Sequence, residues 1–133
     1  LVQVCPGADP AILESYSKEK YKGIVIATTG LGHVPGKGSK YNWLPKIKKA
    51  VDSGMTIVAV PGTIYGRLNP NVYSSGRDLQ KTGIIHLQDM LPETALVKLG
   101  WILGHKSWAK DKEKVREKLL ENLSGEFNDR LLG

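Results

Sequence analysis

The chain has a single cysteine, a single phenylalanine and two methionines, and it contains no apolar run long enough to span a bilayer as a helix. Cys5 has no possible partner for an internal disulfide, and no leader pattern precedes the first structured residues. The expectation is therefore a reducing compartment, the cytoplasm, with no membrane contact. No Cys, His or carboxylate spacing matches a metal site, so no metal is expected. No Ser or Thr sits in a nucleophile elbow, and no Ser-His-Asp or Cys-His set can be assembled locally, so no catalytic residue is expected within these residues. Zinc-finger, RRM and helix-turn-helix patterns are also missing. Leu1 stands where an initiator methionine would be, directly ahead of strand-like residues, and reads as a cut inside a longer chain.

What is present suits one α/β domain. A length of 133 residues is enough to bury a core without a metal or disulfide. The net charge of +6 comes largely from Lys18, Lys20 and Lys22, from Lys46, Lys48 and Lys49, and from the stretch Lys106 to Lys118. Such lysines usually form the solvated faces of helices; a surface that attracts nucleic acid by counterion release is the lesser reading, and charge alone does not make a nucleic-acid binder.

Val2 to Val4 reads as a short strand. Asp9-Pro10 reads as an N-cap with proline in the first helical position, ahead of a helix carrying Ile12, Leu13 and Tyr16 on one face. Ile24 to Ala27 and Thr56 to Val60 are β-branched runs suited to strands buried on both sides, as in a parallel sheet. Between them, Leu44, Ile47 and Val51 mark a helix that Gly54 ends. Pro61 to Ser75 reads as irregular, Arg77 to Lys81 as a short helix and Ile84 to Leu87 as a strand. Leu91, Ala95, Leu99 and Ile102 define the inner face of a helix entered through Pro92. A last helix from about Asp111 is expected to bury Val115, Leu119 and Leu123 and to stop at Gly125. The alternation predicts a doubly wound α/β fold, an approximately four-stranded parallel sheet with helices on both faces. Ligands of such sheets bind beyond the carboxyl ends of the strands, which places interest on the loops Thr28 to Gly38 and Pro61 to Ser75.

The first loop, Thr29-Gly30-Leu31-Gly32-His33-Val34-Pro35-Gly36-Lys37-Gly38, lacks the Gly-Lys-Ser/Thr ending of a Walker loop, and Pro35 falls where a dinucleotide fingerprint would open a helix. Its residues leave open a structural turn, an amide or carboxylate site, or a nucleotide site. The second loop interleaves Tyr65, Arg67, Tyr73 and Arg77, a mixture enriched at protein interfaces. Composition equally allows a surface loop stiffened by Asn69-Pro70.

Several segments together carry a resemblance. Lys22 to Ile26 followed by Thr29 to Pro35, Tyr65 to Tyr73 with Gly76-Arg77, Asp89-Met90-Leu91-Pro92-Glu93-Thr94-Ala95-Leu96-Val97-Lys98-Leu99 continued by Trp101 to Gly104, and Asn122-Leu123-Ser124-Gly125-Glu126 occur in order. They resemble the C-terminal domain of the L-asparaginase family, in the branch that includes the D subunits of archaeal glutamyl-tRNA(Gln) amidotransferases. Gly-Leu-Gly-His in place of Gly-x-Gly-Asn, and the Leu-Pro-Glu-Thr-Ala form of the later helix, favour that branch over cytosolic L-asparaginase. Two departures stand out: Val60-Pro61-Gly62-Thr63 replaces a more polar stretch, and Gly100 stands where a bulky apolar residue is common.

The resemblance implies that residues 1–133 are one asparaginase C-terminal-like domain, and that the nucleophilic threonines with their assisting Asp and Lys lie in a larger N-terminal catalytic domain outside this sequence. It implies an amidohydrolase that attacks the side-chain amide of Asn or Gln, passes through a β-aspartyl or γ-glutamyl ester and releases ammonia. The amidotransferase's E subunit, as partner, would use that ammonia, with ATP, to amidate glutamyl-tRNA(Gln), so this domain needs no cofactor and meets tRNA(Gln) only indirectly. It implies a homodimer in which the domain completes the neighbour's active site and is inactive alone. Gly32 and His33 fall at the substrate-binding position, with His33 replacing an Asn that holds the substrate's α-amino group; Tyr65, Arg67, Tyr73 and Arg77 fall at the interface. Two readings compete with it: an autonomous small-ligand module and a basic RNA-contacting domain.

Overall fold

The computed structural model describes residues 1–128, which run β1 (Val2–Gln3), α1 (Ile12–Lys18), β2 (Gly23–Thr28), α2 (Leu44–Asp52), β3 (Thr56–Pro61), α3 (Ser74–Gln80), β4 (Ile85–His86), α4 (Pro92–Gly104), α5 (Lys106–Ala109) and α6 (Lys112–Leu120). The four strands form one parallel sheet in the order β1-β2-β3-β4. This is the α/β parallel sheet with helices on both faces that the alternation predicts.

The two central strands explain the layering. Their register pairs Ile24 with Ile57, Val25 with Val58, Ile26 with Ala59 and Ala27 with Val60. Because side chains alternate along a strand, Ile24, Ile26, Ile57 and Ala59 point to one face and Val25, Ala27, Val58 and Val60 to the other. The first set packs with Leu13 of α1, Ile47 and Ala50 of α2, Leu79 of α3 and Trp43, which is fully buried and donates its indole Nε1–H to Ala8 O at 3.2 Å. The second set packs with Ala95, Leu99 and Ile102 of α4 and Val115 and Leu119 of α6. At about 1.5–3 kcal/mol for each large apolar side chain buried, both layers contribute heavily to stability. Among the described residues no helix is long and apolar enough to cross a membrane.

Several boundaries differ from the sequence reading, each for a local reason. Asp9 and Pro10 form a turn ahead of α1; Ala11 takes the N-cap position and the Asp9 carboxylate accepts from Ala11 N at 2.9 Å. α3 starts at Ser74, earlier than Arg77, because Tyr73 is extended and the helix is seated against Pro70: a Cβ on Gly76 would lie 2.5 Å from Pro70 O. β4 is shorter than Ile84 to Leu87, since Gln88 adopts φ +51° and turns the chain away. The last helix does begin after Asp111, whose carboxylate accepts from Glu113 N and Lys114 N at 2.9 and 3.2 Å. It ends at Leu120, so Leu123 is exposed rather than buried, and Gly125 lies past the stop. Leu91 is exposed too, because it is the extended residue that precedes α4 and not part of its inner face.

What holds the chain after α6 is an ion pair. Lys98, on the inner side of α4, reaches Glu126 Oε1 at 2.5 Å, and both side chains are only 6% exposed. Lys98 also donates to Glu121 O and lies over the Phe127 ring. The Glu126 carboxylate accepts in addition from Leu123 N and Ser124 N at 3.1 and 2.7 Å. Burial alone would raise the Glu126 pKa, but Lys98 and those backbone N–H groups outweigh it and bring the value down to about 2.

Candidate functional site

Parallel strands deliver their carboxyl ends to one edge of the sheet, so the segments that follow β2, β3 and β4 become neighbours there. The segment after β2 is a tight turn. Thr29 N donates to His33 O at 3.0 Å, His33 N to Thr29 O at 2.8 Å and Gly32 N to Thr29 O at 3.0 Å, while the Thr29 hydroxyl donates to His33 O at 3.1 Å. Gly30 and Gly32 hold φ of +51° and +107°, the left-handed region that glycine enters without a Cβ clash. Gly32 also requires the space: a Cβ would lie 3.3 Å from Leu68 Cδ2 and 3.7 Å from His86 Cδ2.

Two backbone bonds latch the three segments together. Asn69 N donates to Leu31 O, and Leu68 N donates to Gln88 O, each at 2.9 Å. The end of β4 thus fixes Leu68, Leu68 and Asn69 fix the Gly32 turn, and the turn presents His33.

His33 is half-buried. Its ring meets Tyr73 edge-on, 5.4 Å between centroids at 70°, and its Nε2 is buried with no hydrogen-bond partner among the described residues. A turn so rich in glycine suggests a ring facing outward into solvent, whereas the ring here is folded against Tyr73 with its Nδ1 toward Gly30. His86 sits beneath the same turn, and its Nε2 is likewise buried and unpartnered among the described residues. Burial, followed by the field of Arg116, pushes its pKa down to about 4, so the ring is neutral at pH 7. The sequence singles out His33 and not His86, which is the last residue of β4 and is placed against Gly32 only by the fold.

The four aromatic and guanidinium residues of the second loop are divided by the fold. Tyr73 joins His33, and Tyr65 is 100% exposed at the loop's tip next to Ile64 at 79%. The two arginines are engaged within the chain. Arg67 donates to Gln88 Oε1 and to Asn128 O at 2.9 Å and lies 3.6 Å from Asp89, while Arg77 donates to Asn71 O at 2.9 Å. A cleft of about 550 Å³ opens between Tyr65, Arg67, Asp89 and Asn128. His105 is a packing residue: its Nδ1 lies 2.7 Å from Trp101 O and its ring stacks on Trp108 at 4.0 Å.

The hydroxyls nearest the turn are committed to backbone oxygens, Thr29 to His33 O and Thr28 to Val60 O. A hydroxyl needs a base within hydrogen-bond reach to act as a nucleophile, and neither has one among the bonds it makes. Among the described residues no three His, Cys, Asp or Glu side chains converge as a metal site. The edge thus brings together a glycine turn, one imidazole at its end and a second, neutral imidazole beneath it.

Comparison with known proteins matches residues 1–119 to the Glutaminase/Asparaginase C-terminal domain family. The chain is 47% identical over 127 residues to the D subunit of the glutamyl-tRNA(Gln) amidotransferase of Pyrococcus abyssi, covering 96% of this chain and 27% of that protein. The corresponding protein of Thermococcus kodakarensis is 45% identical over 127 residues, again 96% of this chain and 27% of the relative. Among solved structures, the thermostable L-asparaginase from Thermococcus kodakarensis superposes with a TM-score of 0.84 at 29% identity, over 97% of this chain and 37% of that one. The chain thus spans less than a third of the length of these curated relatives.

Proposed function

The chain belongs to the glutaminase/asparaginase C-terminal domain family, and from that premise we propose that it serves as the substrate-orienting C-terminal domain of an ammonia-releasing amidohydrolase of the amidotransferase D type. Support for the branch comes from two proteins of one organism: this chain is 45% identical to the amidotransferase D subunit of Thermococcus kodakarensis and 29% to its L-asparaginase. In this reading a separate N-terminal domain supplies the threonine nucleophile and its base, and attacks the side-chain amide of Asn or Gln. The ester that forms releases ammonia, which the amidotransferase's E subunit passes, with ATP, to glutamyl-tRNA(Gln) in the cytoplasm. This domain holds the substrate across a homodimer and has no activity alone.

The observation that carries the reading is the Thr29–His33 turn, held through Leu31 to Asn69, whose neighbour Leu68 is bonded to Gln88, so that Gly32 and His33 lie beside the segments that follow β3 and β4. A rigid turn with an imidazole is suited to holding the non-reacting end of a substrate, where orientation lowers the barrier for a nucleophile supplied by another domain. Tyr65 and Tyr73 stand exposed on the same loop system as contacts for the neighbouring copy.

The test is a chimera in which this chain replaces the aligned C-terminal segment of the Pyrococcus abyssi relative. Ammonia release from Asn or Gln is expected from the chimera and not from the 133-residue chain alone. His33→Ala in the chimera should raise KM or lower kcat, according to whether its contact strengthens in the transition state. Unchanged kinetics in a correctly folded His33→Ala chimera would remove His33 from the substrate site.

A further inference from the structure

Among the described residues only Lys20 and Gln88 hold a positive φ without being glycine, and of the two only Gln88 stands at the carboxyl edge of the sheet. A glutamine at φ +51° crowds its Cβ against the backbone, so that conformation persists where neighbouring contacts impose it. Two such contacts come from consecutive residues of the loop after β3. Leu68 N donates to Gln88 O at 2.9 Å, and the half-buried Arg67 guanidinium donates to Gln88 Oε1. Arg67 also donates to Asn128 O at 2.9 Å and lies 3.6 Å from Asp89, whose carboxylate accepts from Asn128 Nδ2 at 2.8 Å. One guanidinium thus joins the loop after β3, the end of β4 and the chain beyond α6. The loop reaches it with little freedom, because a Cβ on Gly66 would collide with Thr63 Oγ1.

The residues next to Arg67 give this cluster its reach. Leu68 packs against Gly32, where an added Cβ would lie 3.3 Å from Leu68 Cδ2, and Asn69 N donates to Leu31 O at 2.9 Å. A shift of residues 67–69 is therefore carried by packing and by a backbone bond into the turn that ends in His33. Arg67 makes no hydrogen bond to the turn among the described residues; its route to His33 runs through Gln88 and Leu68. We propose that Arg67 is a positioning residue for the carboxyl edge, holding Gln88 so that Leu68 and Asn69 fix the place at which His33 is presented. The proposal rests on the substrate-orienting role given above to His33, and it assigns Arg67 a task within the chain instead of a contact with a neighbouring copy.

Two measurements test it. The first, on the 133-residue chain, follows by NMR the amide exchange of Gly32 and His33, both bonded to Thr29 O, together with the His33 ring resonances. The Trp43 indole N–H, bonded to Ala8 O, reports an intact core. Arg67→Ala should speed exchange at both amides about tenfold or more and shift the His33 ring, with Trp43 unmoved. Gln88→Gly should do the same, since it removes the acceptor of Arg67 while entering φ +51° without a Cβ clash. The second measurement is kinetic, in the chimera described above. Arg67→Ala should lower kcat/KM for Asn or Gln about threefold or more, and should have no further effect once His33 is replaced by Ala. Unchanged Gly32, His33 and ring signals in the Arg67→Ala chain overturn the proposal, whatever the chimera does. So does a kinetic effect of Arg67→Ala that persists undiminished beside His33→Ala, because Arg67 then acts by a route of its own. Loss of the Trp43 signal in both variants overturns it in favour of a purely structural arginine. If His33→Ala leaves the chimera unchanged, the substrate reading fails, and the exchange measurement alone decides whether Arg67 places the turn.

Discussion

The layers on the two faces of the sheet are built on opposite plans. On the α2 face the interior carries no buried charge among the described residues and the exterior is charged: Ile47 and Ala50 point in, and Lys46 and Lys49 point out to reach Glu14 of α1 at 2.8 and 3.3 Å. On the α4 face a lysine is inside, paired with Glu126, and Leu96, Val97 and Trp101 are outside. Both faces bury β-branched strand residues against helices, so the hydrophobic driving force is of one kind. The difference lies in the outer surfaces, one finished in charge and one left apolar. An exposed apolar patch is the less usual finish for a surface that meets only water.

The largest expected effect attacks the anchor. Lys98→Ala should lose about 3–5 kcal/mol in a urea melt, because it leaves the Glu126 carboxylate buried and unpaired. A loss under about 1 kcal/mol would mean that the two faces differ only in appearance. Next comes acid. His86 has its folded pKa lowered from 6.5 to about 4, so its contribution is complete above pH 6.5 and is lost as pH falls toward 4, about 2–3 kcal/mol. Glu126, lowered to about 2, adds a second loss that sets in as pH falls through the ordinary carboxylate range. Melts from pH 7 to pH 3 should show both phases, and His86→Ala should flatten the upper one alone. Smaller again, Gly32→Ala should lose about 1–2 kcal/mol from φ +107° and crowding on Leu68, read from the same melts. The smallest effect sharpens the comparison: Val97→Ser and Lys48→Ser, one on each exterior, should each stay within about 0.5 kcal/mol of the parent at concentrations where the chain is monomeric.

The central strands and the inward faces of α1, α2 and α4 were legible because burial on both sides demands continuous apolar runs and burial on one side demands helical periodicity. Ends were harder. The start of α3 depends on the contact of Gly76 with Pro70, and the stop of α6 depends on Glu126 and Lys98, contacts that no local window contains. Leu123 matched the helical spacing and was misplaced for that reason. Trp43 gave no periodic signal because it precedes its helix, yet it is among the largest fully buried side chains. At the site, the glycine turn and His33 could be read from a loop at a strand's end, while the role of His86 depends on two segments more than fifty positions apart meeting at Gly32.

β1 and β4, the outermost strands of the sheet, have two residues each, while the strands between them have six. An outer strand this short exposes few unpaired N–H and C=O groups, so a folded molecule offers little template on which another chain can add a strand. The inner segments Gly23 to Thr28 and Thr56 to Pro61 are the opposite: uncharged, largely β-branched and safe only while covered. The inner strands are therefore shielded by the helices laid over them, and loosening α4 from β2 would uncover the segment best able to add strands.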